Sequence, residues 1–201
     1  LYALDANTGA ERWTFKAVEG VEITPAYQDG IVYVPGVAGT LFAVDAETGA
    51  ELWRFAKPLA EFATPTFGDG LLFVGSNSGS ALYGIDPKTG AEVWHYDTES
   101  TITRGQAYVD GVVYSGSEDG ILYALNATDG SLIWKQLAEP GGHGTPAVGG
   151  GVLYTTSSDG QLLMFDAATG DDLGRIDSVS SNGITPPTIG DGLVYVGTHS
   201  D

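Results

Sequence analysis

The chain has 201 residues, 42% of them hydrophobic, and a net charge of −18 from 26 acidic and 8 basic residues. Such an acidic chain offers no cationic stripe to a phosphate backbone, which excludes nucleic acid as a direct partner. No apolar stretch approaches the roughly 18 residues of a membrane-spanning helix. Because cysteine is absent, disulfides and thiolate sites are excluded as well.

The first element along the chain is also its repeating unit. Residues 1–13 read LYALDANTGAERW, and related segments occupy residues 41–53, 82–94, 122–134 and 162–174. The leading leucines of the five copies, Leu1, Leu41, Leu82, Leu122 and Leu162, are 40 or 41 residues apart. Self-similarity at this period indicates a repeat architecture.

Each copy predicts a β-hairpin with a capped turn. An Asp side chain that accepts backbone hydrogen bonds and a Gly in the left-handed conformation favour a tight turn in the Asp-x-x-Thr-Gly segment. We predict turn-capping by Asp5, Asp45, Asp86 and Asp166, with Asn126 in the same role, and turn glycines at Gly9, Gly49, Gly90, Gly130 and Gly170.

The returning strand of each hairpin carries one large aromatic residue. Its fixed place in the repeat favours packing between blades over a stacking site for a cofactor. The positions are Trp13, Trp53, Trp94 and Trp134. Gly174 occupies this slot in the fifth copy, so we expect Gly174→Trp to be tolerated or stabilising, unless a neighbouring side chain fills the gap.

A second hairpin lies between the copies. Residues 24–30 read TPAYQDG, looser equivalents start near residues 64, 105, 145 and 186, and an apolar strand follows each one. Two hairpins per repeat of about 40 residues give four strands, the composition of a propeller blade. We therefore predict an all-β fold: a β-propeller of four-stranded blades, with five repeats in this chain.

The repeats predict a single domain of complete and partial blades. With strands named A to D from the centre outward, half-blades span residues 1–16 and 185–201, and blades span 23–56, 63–97, 103–137 and 144–177. In one alternative, Leu193–Val196 pairs with Leu1–Asp5 and closes a five-bladed ring without open edges. In the other, the chain is an arc of a larger propeller. Because it starts inside a strand motif without Met or a signal peptide, we expect a trimmed sequence.

The recurring pattern L-[YF]-A-[LV]-D-x-x-T-G-x-x-x-W resembles the repeat of the pyrroloquinoline-quinone-type β-propellers, along essentially the whole chain. That family includes quinoprotein alcohol dehydrogenases and the non-catalytic barrel-assembly lipoproteins of bacterial outer membranes. The resemblance implies an extracytoplasmic location, periplasmic or at the cell surface. A dehydrogenase would need a quinone clamp, a divalent cation and a catalytic carboxylate, often with a vicinal cysteine pair that this chain lacks.

From these features we predict a scaffold without catalytic residues, cofactor or metal, whose partner is a protein or another ligand. Two alternatives stay open: a fragment of a quinoprotein dehydrogenase, and a sensor or binding domain of a larger surface protein. The acidity has two interpretations as well, an ordinary acidic surface or adaptation to high salt, where cations screen the repulsion between carboxylates.

The connections between strands predict where binding occurs. The A–B and C–D turns are short and nearly repeated, whereas the D–A and B–C connections on the opposite face vary, as binding loops on a rigid scaffold do. The candidate binding residues on this face are Arg104, Gln106, Asn77, Glu118, His143, Asp159 and His199.

Among these candidates, Arg104 replaces the usual Thr-Pro start of a blade. It either binds a carboxylate or phosphate or forms a solvated or salt-bridged side chain. Neither His143 nor His199 lies in a zinc-ligand or catalytic-triad spacing.

Overall fold

A computed structural model describes residues 1–57, 60–138, 144–177 and 185–197. Within these residues every regular element is a β-strand, and the strands form six antiparallel sheets. Four of the sheets have four strands each, and a two-stranded sheet lies at either end of the series. The predicted fold class, an all-β propeller of four-stranded blades, is confirmed.

The first two-stranded sheet contains β1 (Tyr2–Leu4) and β2 (Glu11–Thr14). Blade 1 contains β3 (Ala26–Gln28), β4 (Ile31–Pro35), β5 (Thr40–Asp45) and β6 (Glu51–Ala56). Blade 2 contains β7 (Thr66–Gly68), β8 (Leu71–Ser76), β9 (Ala81–Ile85) and β10 (Glu92–Asp97). Blade 3 contains β11 (Ala107–Val109), β12 (Val112–Gly116), β13 (Ile121–Asn126) and β14 (Leu132–Leu137).

Blade 4 contains β15 (Ala147–Gly149), β16 (Val152–Thr156), β17 (Leu162–Asp166) and β18 (Asp172–Ile176), and the last two-stranded sheet contains β19 (Thr188–Gly190) and β20 (Leu193–Tyr195). Each blade is an antiparallel meander in sequence order. The A strands of neighbouring blades contact one another, β7 with β11, β11 with β15 and β15 with β19. Every C–D pair carries a β-bulge close to its turn, for example between Ala43 and Val44.

The hydrophobic core lies between the blades. On strand β5 both faces are buried, because successive side chains point to opposite neighbours. Leu41 and Ala43 pack with residues of blade 2, whereas Phe42 and Val44 pack with Phe15, which directly follows β2. This alternation explains why the C strands are almost continuously apolar.

The predicted pairing of Leu193–Val196 with Leu1–Asp5 is not present. In the described residues, β1 pairs only with β2, and β20 pairs only with β19. Tyr2 is 69% exposed and Tyr195 is 53% exposed, whereas the equivalent Phe42 and Phe73 are fully buried. Since the two half-blades do not cover each other, the described residues do not form the closed five-bladed ring, and they leave the alternative of an arc of a larger propeller.

Candidate functional site

The C–D turns use one polar network that the sequence repeats. The carboxylate Oδ1 of Asp45 accepts hydrogen bonds from the backbone N–H of Glu47 (3.1 Å), and from the N–H and hydroxyl of Thr48 (both 2.8 Å). These bonds, chiefly the one from the Thr48 hydroxyl, lower the pKa of Asp45. Gly49 closes the turn with a φ of 74°.

The same network recurs in the other copies with small changes. Asp5 also receives the Arg12 guanidinium at 2.6 Å, and this bond is the largest cause that lowers the pKa of Asp5 to about 2. Equivalent bonds from backbone N–H groups reach Asp86, Asn126 and Asp166 at 2.8–2.9 Å. The turn glycines Gly9, Gly90, Gly130 and Gly170 have φ values of 71–78°. No group of three His, Asp or Glu within the described residues is arranged to hold a metal.

Each repeated tryptophan joins its blade to the next one. The indole N–H of Trp94 donates to the carbonyl of Ala127 at 2.9 Å, and that of Trp134 donates to Ala167 at 3.0 Å. Trp13 and Trp53 make the equivalent bonds to Ala46 and Pro87, at 3.1 and 3.0 Å. The tryptophans therefore lie in the interfaces between blades.

On the opposite face, the D–A and B–C connections are bonded to one another. Asn77 donates to Glu61 through both its backbone N–H and its side-chain amide, each at 2.8 Å. Glu118 occupies the same place in blade 3, where its N–H donates to Thr101 at 3.0 Å and its carboxylate accepts from the Thr103 hydroxyl. We call this surface the loop face, and the surface of the A–B and C–D turns the turn face.

The remaining candidates are distributed along the loop face. Asp159 is exposed and accepts a hydrogen bond from the Ser157 hydroxyl in the B–C loop of blade 4. His143 and His199 lie outside the described residues. The described candidates thus belong to blades 2, 3 and 4, with Asn77 and Glu118 at corresponding places, and among them only Arg104 and Gln106 are joined by a direct bond.

Arg104 and Gln106 form the start of blade 3. The Gln106 side chain is buried, and its Nε2 donates to the carbonyl of Arg104 at 2.8 Å. The Gln106 carbonyl accepts from the Thr66 hydroxyl of blade 2 at 2.9 Å, and the Gly105 N–H donates to Thr145 of blade 4 at 3.2 Å. The Arg104 side chain is exposed and has no ion-pair partner among the described residues.

Two further features were not recognised from the sequence. The Ser115 hydroxyl and the Gln106 Oε1 are buried without a hydrogen-bond partner among the described residues. Ser115 stands where Val34 and Val74 stand in blades 1 and 2 and where Thr155 stands in blade 4, so the available signal was a polar residue at a position that is Val in the first two blades. A cleft of about 560 Å³ also opens on the turn face between blades 3 and 4.

These features define the class: a propeller in which a tryptophan on each outer strand bonds the capped turn of the next blade. The family model described as outer membrane protein assembly factor BamB matches residues 1–136 and 78–201. The chain belongs to this family, within the pyrroloquinoline-quinone-type propellers.

Solved structures show the same fold. BamB from Moraxella catarrhalis is 23% identical with a TM-score of 0.65, over 95% of this chain and 75% of that chain. The computationally designed protein Ika4 is 20% identical with a TM-score of 0.71, over 79% of this chain and 99% of that chain.

A quinohemoprotein alcohol dehydrogenase, ADHIIG from Pseudomonas putida HK5, is 19% identical with a TM-score of 0.69, over 92% of this chain and 39% of that chain. At these identities the three structures support the fold alone. No curated protein matches the chain. Across the described residues, no helix has the length and apolarity that a bilayer crossing requires.

Proposed function

We propose that this chain is a non-catalytic propeller scaffold that binds a protein partner through its loop face, in an extracytoplasmic compartment. The chain belongs to the family whose model is described as outer membrane protein assembly factor BamB. This membership supports both the scaffold role and the extracytoplasmic location. The bonded D–A and B–C connections support the choice of face, because they present side chains from three blades on a fixed frame.

The observation that carries the proposal is the start of blade 3. A Pro at position 106, as in blades 1, 2 and 4, would avoid burying an amide with an unpaired oxygen, which costs free energy. Gln106 instead donates to the Arg104 carbonyl and fixes the backbone of that residue. The guanidinium is exposed on the surface of a strongly acidic chain, where it can form paired hydrogen bonds with a carboxylate of the partner.

The test compares two charge reversals, one at a basic residue on the loop face and one at a basic residue on the turn face. Proteins that co-purify with the tagged chain are identified by mass spectrometry, and the major one is purified and titrated against wild-type, Arg104→Glu and Lys88→Glu chains. We expect Arg104→Glu to weaken binding roughly tenfold or more, because it replaces an attractive charge with a repulsive one. Lys88 lies in a turn on the other face, so Lys88→Glu should leave the affinity unchanged. Equal affinities for the two variants, or a loss only in Lys88→Glu, would contradict the proposal.

The non-catalytic part of the proposal has its own test. The cysteine pair that often contacts the quinone in the dehydrogenases has no counterpart in this chain. We expect calorimetry to detect no binding of pyrroloquinoline quinone in the presence of Ca²⁺, and no alcohol oxidation. Micromolar binding of the quinone would favour the dehydrogenase alternative instead.

A further inference from the structure

The cleft between blades 3 and 4 lies on the turn face, away from the loop face of the proposed function. Its volume, about 560 Å³, falls in the range of small-molecule sites. Its walls are mainly apolar and include Val112, Tyr114, Ile133 and Val148. The carboxylate-bearing residues in its lining are Asp110, on the A–B turn of blade 3, and Asp166, on the C–D turn of blade 4.

The interfaces between blades 1 and 2 and between blades 2 and 3 show which side chains occupy the equivalent of the cleft. On strand A, the position of Val148 is occupied by Phe67 in blade 2 and by Tyr108 in blade 3. The Phe67 ring packs against Tyr33 of blade 1, with centroids 5.2 Å apart. The Tyr108 ring stacks on Phe73 of blade 2 at 6.0 Å. Since Val148 has no ring, the interface between blades 3 and 4 lacks one aromatic group.

The interface between blades 2 and 3 also shows where the polar end of an aromatic group lies. A hydrogen bond to Asp69, on the A–B turn of blade 2, is the largest cause that raises the pKa of Tyr108. Asp110 is the corresponding turn residue of blade 3 and lines the cleft. Burial, followed by the charges of Asp110 and Asp166, raises the pKa of the Tyr114 hydroxyl. Because no Lys or Arg lines the cleft, its potential is negative.

From this geometry we infer that the cleft binds a free aromatic amine, with its ring in the space that Val148 leaves open and its ammonium group toward Asp110 and Asp166. The ring replaces the aromatic contact that Phe67 supplies between blades 1 and 2 and that Tyr108 supplies between blades 2 and 3. The ammonium group gains from the two carboxylates. A volume several times that of one phenyl ring suits a whole small molecule rather than a single side chain.

The probe is tyramine, which carries a phenol ring and an ammonium group, titrated into the isotope-labelled chain and followed by ¹H–¹⁵N NMR. We expect saturable shifts at residues 109–114, 148–151 and 166–168, and none on the loop face. Val148→Tyr, which copies Tyr108, should abolish these shifts because it fills the cleft. Val18→Tyr adds the same side chain at an exposed position on the loop face and should leave them intact.

A second pair of variants keeps the test decisive if Val148→Tyr does not fold. Asp110→Asn should weaken tyramine binding several-fold, whereas Asp69→Asn, at the interface already filled by Tyr108, should not change it. Three results would overturn the inference: no saturable shifts up to about 10 mM tyramine, unchanged binding in Val148→Tyr and Asp110→Asn, or tighter binding of a capped Gly-Tyr-Gly peptide than of tyramine. The last would identify the occupant as a tyrosine of another protein.

Discussion

Asp45 and Asn126 cap equivalent turns with different chemistry. Both side-chain oxygens accept backbone N–H groups, but only the Asp45 oxygen is part of a titratable group. A carboxylate accepts stronger hydrogen bonds than an amide oxygen, and this advantage is lost on protonation. The cap at this position is therefore pH-sensitive in blade 1 and independent of pH in blade 3, where the titratable turn residue is instead Asp129, whose pKa is lowered chiefly by the Ser131 hydroxyl.

We predict that Asp45→Asn lowers the melting temperature near pH 7 and that this difference disappears on acidification. The folded-state pKa of Asp45 is lowered below the ordinary value of 3.8, so its contribution is complete above that value. The contribution is lost as the pH falls from about 4 through the lowered pKa. Glu47→Gln removes a charge from the same turn without removing a capping oxygen and serves as the control. A difference between wild type and Asp45→Asn that stays constant from pH 7 to pH 2 would contradict the prediction.

Gly174 reverses an expectation drawn from the repeat. It fills the slot of the tryptophans, and an added Cβ would meet nothing within 4 Å, so there is room for a larger side chain. However, its φ is 114°, a conformation that residues with a Cβ rarely adopt. A tryptophan at this position would strain the backbone.

We predict that Gly174→Trp lowers the melting temperature, because the backbone strain is not offset by packing. Leu173→Trp provides the matched control, since this neighbouring side chain is already exposed and its φ is not positive. Thermal melts of both variants decide the question. A melting temperature for Gly174→Trp at or above that of Leu173→Trp would restore the expectation drawn from the sequence.

At the scale of the elements, the tryptophans explain why the turn glycines recur. A Cβ added at Gly130 would lie 2.5 Å from the Trp94 ring, and one at Gly170 would lie 2.8 Å from the Trp134 ring. Both distances are below normal contact, so each glycine supplies a left-handed turn and a flat surface for the indole of the preceding blade. At Gly9, by contrast, an added Cβ would meet nothing within 4 Å.

We predict that Trp94→Ala costs roughly 3–5 kcal/mol of stability, as large aromatic truncations in buried sites do. Trp94→Phe should cost less, about 1 kcal/mol for the lost indole hydrogen bond to Ala127 plus a share of the packing. Trp13 is less buried, so Trp13→Ala should cost less than Trp94→Ala. Urea unfolding at equal m-values measures all three. Equal losses for Trp13→Ala and Trp94→Ala would show that burial in the interface does not set the cost.

The repeats allowed the blades to be predicted from the sequence, whereas the contacts between blades could be predicted only in part. The 40-residue period and the Asp-x-x-Thr-Gly turns predict the four-stranded blade, because both signals are local. The cleft depends on Val148 facing Tyr114 across two blades, and the bond from Gln106 to Arg104 depends on a rotamer. Pairwise geometry of this kind is not carried by periodicity, which is why Arg104 was identified as a candidate but its support by Gln106 was not.

At the scale of the whole molecule, two features matter: the exposed strands at the two ends of the series of sheets, and the negative net charge. The first and last strands of the chain, β1 and β20, carry large apolar side chains that are more than half exposed: Tyr2, Leu4, Leu193 and Tyr195. Whether the first and last half-blades pair could not be predicted from complementarity alone, since the repeat fits a closed ring and an arc equally well. Arg12, Arg54 and Lys57 pair with carboxylates at 2.6–2.8 Å, but acidic groups far outnumber the available cations.

We predict that the folded chain is more stable in concentrated KCl than in dilute buffer. None of the described Asp and Glu residues is fully buried, so their negative charge is carried at the surface. The compact state holds these carboxylates closer together than the unfolded chain does, and their repulsion opposes folding. The Debye length falls from roughly 30 Å at 0.01 M salt to about 3 Å at 1 M, which removes most of this repulsion.

The measurement is a thermal melt at about 0.05 M and about 2 M KCl; sulfate is avoided, because its exclusion from protein surfaces stabilises almost any fold. Loss of the surface ion pairs works in the opposite direction, but such exposed pairs contribute little, about 0–1 kcal/mol each. A charge-reduced variant, with Asp29→Asn, Asp69→Asn and Asp191→Asn on the A–B turns, should show a smaller increase, since it has less repulsion to screen. A melting temperature that is unchanged or lower at high KCl would leave an ordinary acidic surface and remove the case for adaptation to salt.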